Sequence, residues 1–205
     1  MTTASANHKK SRRVVLRQFT VKASRWLHIY LSMASFAIVL FFSVTGLTLN
    51  HQEWFEHAEK TSLVKGAMPP ALLSKPDELR IVEYIRNTNH VTGMVGEVRT
   101  DSDQITMAFR GPGYSADATI SRSTGHYDLI ETRNGFWAVM NDLHKGRDTG
   151  TAWKWFIDVS AVLLTLVSLT GLMLIFFLYK KRTAGLVVAT AGLLLSLLLY
   201  RLCVL

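Results

Sequence analysis

The chain has 205 residues, 49% of them apolar, and a formal net charge of +8. With a mean hydropathy of +0.19, this is the composition of a membrane protein carrying a modest soluble part. The single cysteine, Cys203, excludes an intrachain disulfide framework and a thiol-rich metal site.

Residues 1–25 form a basic tail in which Lys9, Lys10, Arg12, Arg13, Arg17, Lys22 and Arg25 occur without a single acid. The uncharged apolar run over 29–49 follows and predicts a membrane helix over 26–50. It is too long for a signal-peptide core, and no A-x-A-like cleavage site follows it, so an uncleaved anchor is expected. His28 and His51 stand at its two ends. On a continuous helix they would lie roughly 34 Å apart, a little more than the roughly 30 Å hydrocarbon core, which gives each membrane face one histidine.

Residues 51–152 form the loop that follows, and it holds every acid of the chain except Asp158. Within it, Lys75-Pro76-Asp77 opens a helix over 77–90, with Leu79, Val82, Ile85 and Arg86 roughly on one face. Strand-like stretches over 93–99, 104–110, 115–121 and 126–132 come next. They are separated by Asp101-Ser102-Asp103, Gly111-Pro112-Gly113 and Ser123-Thr124-Gly125, which is turn chemistry. One helix on a short antiparallel meander, a small α+β unit, is expected. Two further membrane helices are predicted over 153–179 and 184–201, joined by a turn at 180–183 that contains Lys180, Lys181 and Arg182.

Lys and Arg in short flanks mark the cytoplasmic side. The basic tail and the 180–183 turn are therefore expected inside and the 51–152 loop outside, which reads the positive charge as topology rather than as nucleic-acid binding.

An internal repeat links the spans. Leu27-His28 is followed by Ser43-Val44-Thr45-Gly46-Leu47-Thr48-Leu49, and Leu143-His144 by Ser168-Leu169-Thr170-Gly171-Leu172-Met173-Leu174. Because the two spans run in opposite directions, His28 and Gly171 are expected near the cytoplasmic face, and His144, Gly46 and His51 near the external one. A glycine in a membrane helix admits a bulky flat partner or another backbone. His28, Ser32, Ser35, Val39 and Gly46 share one helical stripe, and His51 falls on another with Met33, Leu40, Val44 and Leu47, unless the helix ends before His51.

Histidines at membrane faces without cysteines point first to bis-histidine haem, which needs only neutral imidazoles from two helices in an apolar slot. A zinc site using His51, His57, His144 and nearby acids, or copper on His144 with Met140, remains open. His57, His90 and His126 otherwise read as ordinary surface histidines. Trp26, Trp54, Trp137, Trp153 and Trp155 read as an interfacial belt. Asp158, an ionisable group inside an apolar run, stands as a functional candidate or as a partner of Lys154 or Arg147. Glu53, Glu56, Glu59, Asp142 and Asp148 border the external mouth. No G-x-G-x-x-G stands at a strand-to-helix junction, so the chain is not expected to bind its own nicotinamide or flavin.

The order of basic tail, Arg25-Trp26-Leu27-His28, S-x-T-G-L, helix plus meander, Asp142-Leu143-His144-Lys145-Gly146 and S-L-T-G-L resembles the PepSY-associated transmembrane helix family over roughly residues 24–180. That resemblance implies a bacterial inner-membrane protein with a periplasmic PepSY-like domain. It further implies haem b and reduction of ferric iron or a ferric siderophore, with His28 and His144 as axial ligands and His51 the next match. One subunit offers few ligands, so a homodimer is expected, with Met173 as a weaker alternative partner for His28. Electrons would enter from a cytoplasmic or quinol donor. The competing readings are a non-redox module that binds a protein partner or restrains a protease, and a metal-uptake accessory that binds an ion through His51, His57 and His144.

Overall fold

Long apolar runs without internal proline satisfy their backbone in lipid as helices, and three such helices are present among the described residues. The computed structural model describes residues 2–74 and 77–204, with side chains for 14–55, 59–73 and 77–204. The first helix, α1, runs Thr2–Asn50, so the basic tail continues the helix of the first span. Its portion long and apolar enough to cross a membrane is Val14–Asn50. The other two such helices, labelled α5 and α6 in chain order, are Gly150–Phe177 and Arg182–Cys203. The protein is thus an α-helical membrane protein with an antiparallel sheet domain between its first and second spanning helices.

Two compact units divide the chain. One comprises Met1–Val39 and Val159–Leu205, the other Leu40–Asp158. In the first, Ser24, Ser35 and Ser160 are buried, whereas Met33, Val162, Leu169 and most of α6 present apolar side chains outward. Small polar residues line the helix contacts and large apolar ones face lipid, as expected where the solvent is hydrocarbon. Val39, expected on the inner stripe with Ser35, is 45% exposed and faces outward.

The second unit is built on a five-stranded antiparallel sheet: β1 (Lys60–Ala67), β2 (Met94–Thr100), β3 (Gln104–Gly111), β4 (Tyr114–Ser121) and β5 (His126–Arg133), in the order β1-β5-β4-β3-β2. Four strands follow the expected meander. β1 is the addition, an edge strand paired with β5 whose side chains are almost all exposed, so its sequence carries no alternation to read. Gly66 in this strand lies under the Tyr127 ring, which would overlap any Cβ placed there.

A short helix, α2 (Pro70–Ser74), precedes α3 (Glu78–Asn89). Asp77 caps α3 by accepting from the Leu79 amide at 3.1 Å, and His90 ends it in the left-handed region at φ 55°. The Lys75-Pro76 part of the expected opening lies outside the described residues. Ile81, Val82 and Ile85 face the sheet, while Leu79, expected on that face, is 69% exposed. They pack with Ile105, Met107 and Phe109 of β3, Ala116, Ala118 and Ile120 of β4, and Tyr127 and Leu129 of β5. The alternate residues of these strands face the other side of the sheet.

The last helix of this unit, α4 (Phe136–Lys145), carries His144 and ends before the second spanning helix begins. Gly146, Asp148 and Gly150 all have positive φ, at 67°, 55° and 74°. This run of left-handed residues ends one helix before the next begins. His144 therefore stands on a separate short helix.

Candidate functional site

The two halves of the repeat are interlocked. In the first unit, His28 of α1 lays its ring against the Thr170-Gly171 step of α5. Its Nδ1 is 3.2 Å from both the Val167 carbonyl and the Thr170 hydroxyl. A Cβ on Gly171 would sit 3.0 Å from His28 Cε1, so only glycine leaves the ring its place. In the second unit, His144 of α4 meets the Thr45-Gly46 step of α1. Its Nδ1 is 2.6 Å from Thr45 Oγ1, its Cε1 is 3.7 Å from where a Gly46 Cβ would stand, and Phe42 meets the ring edge-on at 4.9 Å. Each Leu-His thus docks on the Thr-Gly of the other half, and the flat partner that each glycine admits is an imidazole.

Asn141 and Asp142 hold α4 in place. The Thr48 hydroxyl donates to Asn141 Oδ1 at 2.7 Å. Asp142, 5% exposed, accepts from the Gly113 amide at 2.8 Å and the Arg147 guanidinium at 2.6 Å. It belongs to the interior rather than to an acidic mouth. Trp153 Nε1 donates to the Leu143 carbonyl at 2.7 Å and covers the end of the helix. Burial, assisted by the charge of neighbouring Lys145, pushes the His144 pKa below its ordinary value and favours neutral imidazole.

His51 follows the last residue of α1 and adopts φ −133°, so the helical phase no longer directs it. Its Nδ1 is 3.2 Å from Glu53 Oε1, and its ring stacks on Trp54 at 4.2 Å with a 4° interplanar angle. A hydrogen bond to its own backbone, and then the contact with His51, hold the Glu53 carboxyl below the usual carboxylate range. Met173 Sδ accepts from Ser24, one turn of α1 before His28, and Met140 is half-buried on α4. Asp158 is exposed on α5. Among the described residues, no three His, Cys, Asp or Glu side chains group as a metal site; the side chains of His57 and Glu56 lie outside them.

The family model described as PepSY_TM-like matches residues 22–205, nearly the whole chain and both halves of the repeat. The chain belongs to the PepSY_TM-like family. No curated protein and no solved structure matches it. The family match fits a membrane-anchored PepSY module, and the interlocked histidines are its most distinctive internal feature.

Sequence reasoning singled out His28, His144, Gly46 and Gly171 but passed over Thr45, Thr170, Val167 and Phe42. For the threonines a signal existed, since the T of T-G recurs in both halves at the same place. For Val167 and Phe42 none did, because their roles come from a carbonyl and a ring edge that only packing selects.

Proposed function

We propose that this PepSY_TM-like protein binds haem b and carries electrons across the bacterial inner membrane to reduce ferric iron, free or siderophore-bound, at the periplasmic face. The supporting observation is the reciprocal docking of His28 and His144. In each compact unit one imidazole rests its Nδ1 on an oxygen and has no hydrogen-bond partner on Nε2 among the described residues. Metal-binding histidines commonly use this arrangement, one ring nitrogen anchored and the other left to ligate.

The donor set fits haem as single axial ligands. His28 is the one histidine among the described side chains of its unit, so a bis-histidine site there takes its second ligand from another copy of the chain. His144 and His51 share the other unit, and the Glu53 carboxylate anchors His51 as the hydroxyl of Thr45 anchors His144. Bound haem supplies one-electron iron chemistry. The protein's part is to hold and orient the imidazoles, with the Val167 carbonyl and the Thr170 hydroxyl against His28 and the Phe42 ring edge-on to His144. The basic tail and the Lys180-Lys181-Arg182 turn support a cytoplasmic N-terminus, facing a cytoplasmic or quinol donor.

The test is the visible spectrum of the purified protein, oxidised and dithionite-reduced, with pyridine haemochrome quantitation. Sharp reduced bands that are lost in His28→Ala or His144→Ala are the expected result. A colourless protein that takes up no added haem would sink the proposal and favour a non-redox module.

A further inference from the structure

We infer that Thr45 is a positioning residue that locks His144 in the Nδ1–H tautomer, so that Nε2 carries the lone pair. The inference rests on the haem reading above for its functional meaning but on geometry alone for its content. Thr45 Oγ1 lies 2.6 Å from the Phe41 carbonyl oxygen and 2.6 Å from His144 Nδ1. Two oxygens that close require a proton between them, and the carbonyl has none to give. The hydroxyl proton therefore points at Phe41, one turn back along α1, which is a common bond for a threonine inside a helix. What remains on Oγ1 towards His144 is a lone pair, so the contact needs the proton of Nδ1. Phe42 at the ring edge and Gly46 beneath Cε1 limit rotation of the imidazole.

The same logic gives a different answer at His28. Thr170 also donates back along its own helix, to Leu166 O at 2.8 Å and Val167 O at 2.9 Å. His28 Nδ1, however, has a second acceptor 3.2 Å away, the Val167 carbonyl, which cannot donate. The backbone alone is enough to hold the His28 tautomer, and Thr170 is redundant for it. The two halves of the repeat thus share a motif but not a dependence: one lock is a side chain and the other is backed by main chain.

The experiment uses the full chain in lipid nanodiscs, free of haem and labelled with 15N-histidine, at a pH where imidazole is neutral. Ring-nitrogen shifts read the tautomer directly, and His28→Ala and His144→Ala spectra assign the signals. Wild type should show Nδ1–H at both positions. Thr45→Val should lose the single Nδ1–H form of His144, Thr45→Ser should restore it, and Thr170→Val should leave His28 unchanged. An Nε2–H signal for His144 in wild type, or an unmoved His144 signal in Thr45→Val, would overturn the inference without recourse to any variant's stability beyond that one.

Haem titration of the same samples separates the two ideas. A Thr45→Val protein that takes up haem at the His144 site about 10- to 100-fold more weakly is the expected result, in line with the loss of an outer hydrogen bond to a ligating histidine. Tautomers as stated in a wild-type protein that takes up no haem would overturn the haem reading and uphold the lock.

Discussion

His28 and Gly171 touch so closely that a methyl group on the glycine would stand 3.0 Å from the imidazole Cε1, whereas the equivalent separation at Gly46 and His144 is 3.7 Å. The first is tighter than ordinary contact and the second is ordinary contact. Gly46→Ala should therefore gain helix propensity, up to about 1 kcal/mol, with His144 in place. Gly171→Ala must push the His28 ring aside and should gain nothing or lose stability. Titration into denaturing detergent measures both, and equal effects in the two variants would contradict the asymmetry.

Asp142 tests how α4 is held. Asp142→Ala leaves the Gly113 amide without its acceptor and the Arg147 guanidinium without its carboxylate. A loss of about 1–3 kcal/mol is expected for a buried donor left unpaired. Asp142→Asn keeps an acceptor oxygen and should cost less. Thermal unfolding of the two variants side by side checks the order, and an Ala variant as stable as wild type would remove Asp142 from this role.

Phe109, packed between the sheet and α3, is the largest fully buried side chain among the described residues. Phe109→Ala should destabilise the sheet domain by about 3–5 kcal/mol, from lost transfer energy and the cavity left behind. Leu79→Ala, at an exposed position on the same helix, should be close to neutral. Chemical denaturation followed by tryptophan fluorescence distinguishes them.

Tyr114 supplies a pH dependence. Burial raises its pKa above the ordinary 10.0, partly offset by the Thr92 amide that donates to its oxygen. The folded chain therefore keeps this proton to higher pH than the unfolded chain does. The stability it contributes is intact below about pH 10 and is lost as the pH rises through the folded value. The difference in midpoint between wild type and Tyr114→Phe should hold steady up to about pH 9 and change across the alkaline range; a difference that does not vary with pH would refute the assignment.

Much of this architecture is readable from local pattern. Long uncharged runs such as 29–49 have one way to satisfy their backbone in lipid. The turns at Pro112-Gly113 and Gly125 fix hairpins within a few residues, Asp77 caps α3 through a neighbour two residues away, and the repeated T-G-L steps are visible by eye. Where the sequence misled, the deciding partner was distant. β1 offers no alternation because it is an edge strand, and Leu79 sits on the wrong side of a helix whose inward face is set by the sheet beneath it. Asp142 looks like a surface acid until Gly113 is brought to it.

The chain's own order therefore determined three spanning helices, a sheet domain between the first two, a family and a pair of related histidine motifs, because each depends on length, periodicity or residues near in sequence. Only the tertiary structure decided that each histidine crosses to the other half's Thr-Gly step. The bonds concerned join residues 142 positions apart for His28 and Thr170, and 99 apart for Thr45 and His144. Helical periodicity fixes which way a side chain points on its own helix. Which helix meets it there depends on how the other elements pack, and here that choice includes the left-handed break after Lys145 that frees α4 to bring His144 to α1.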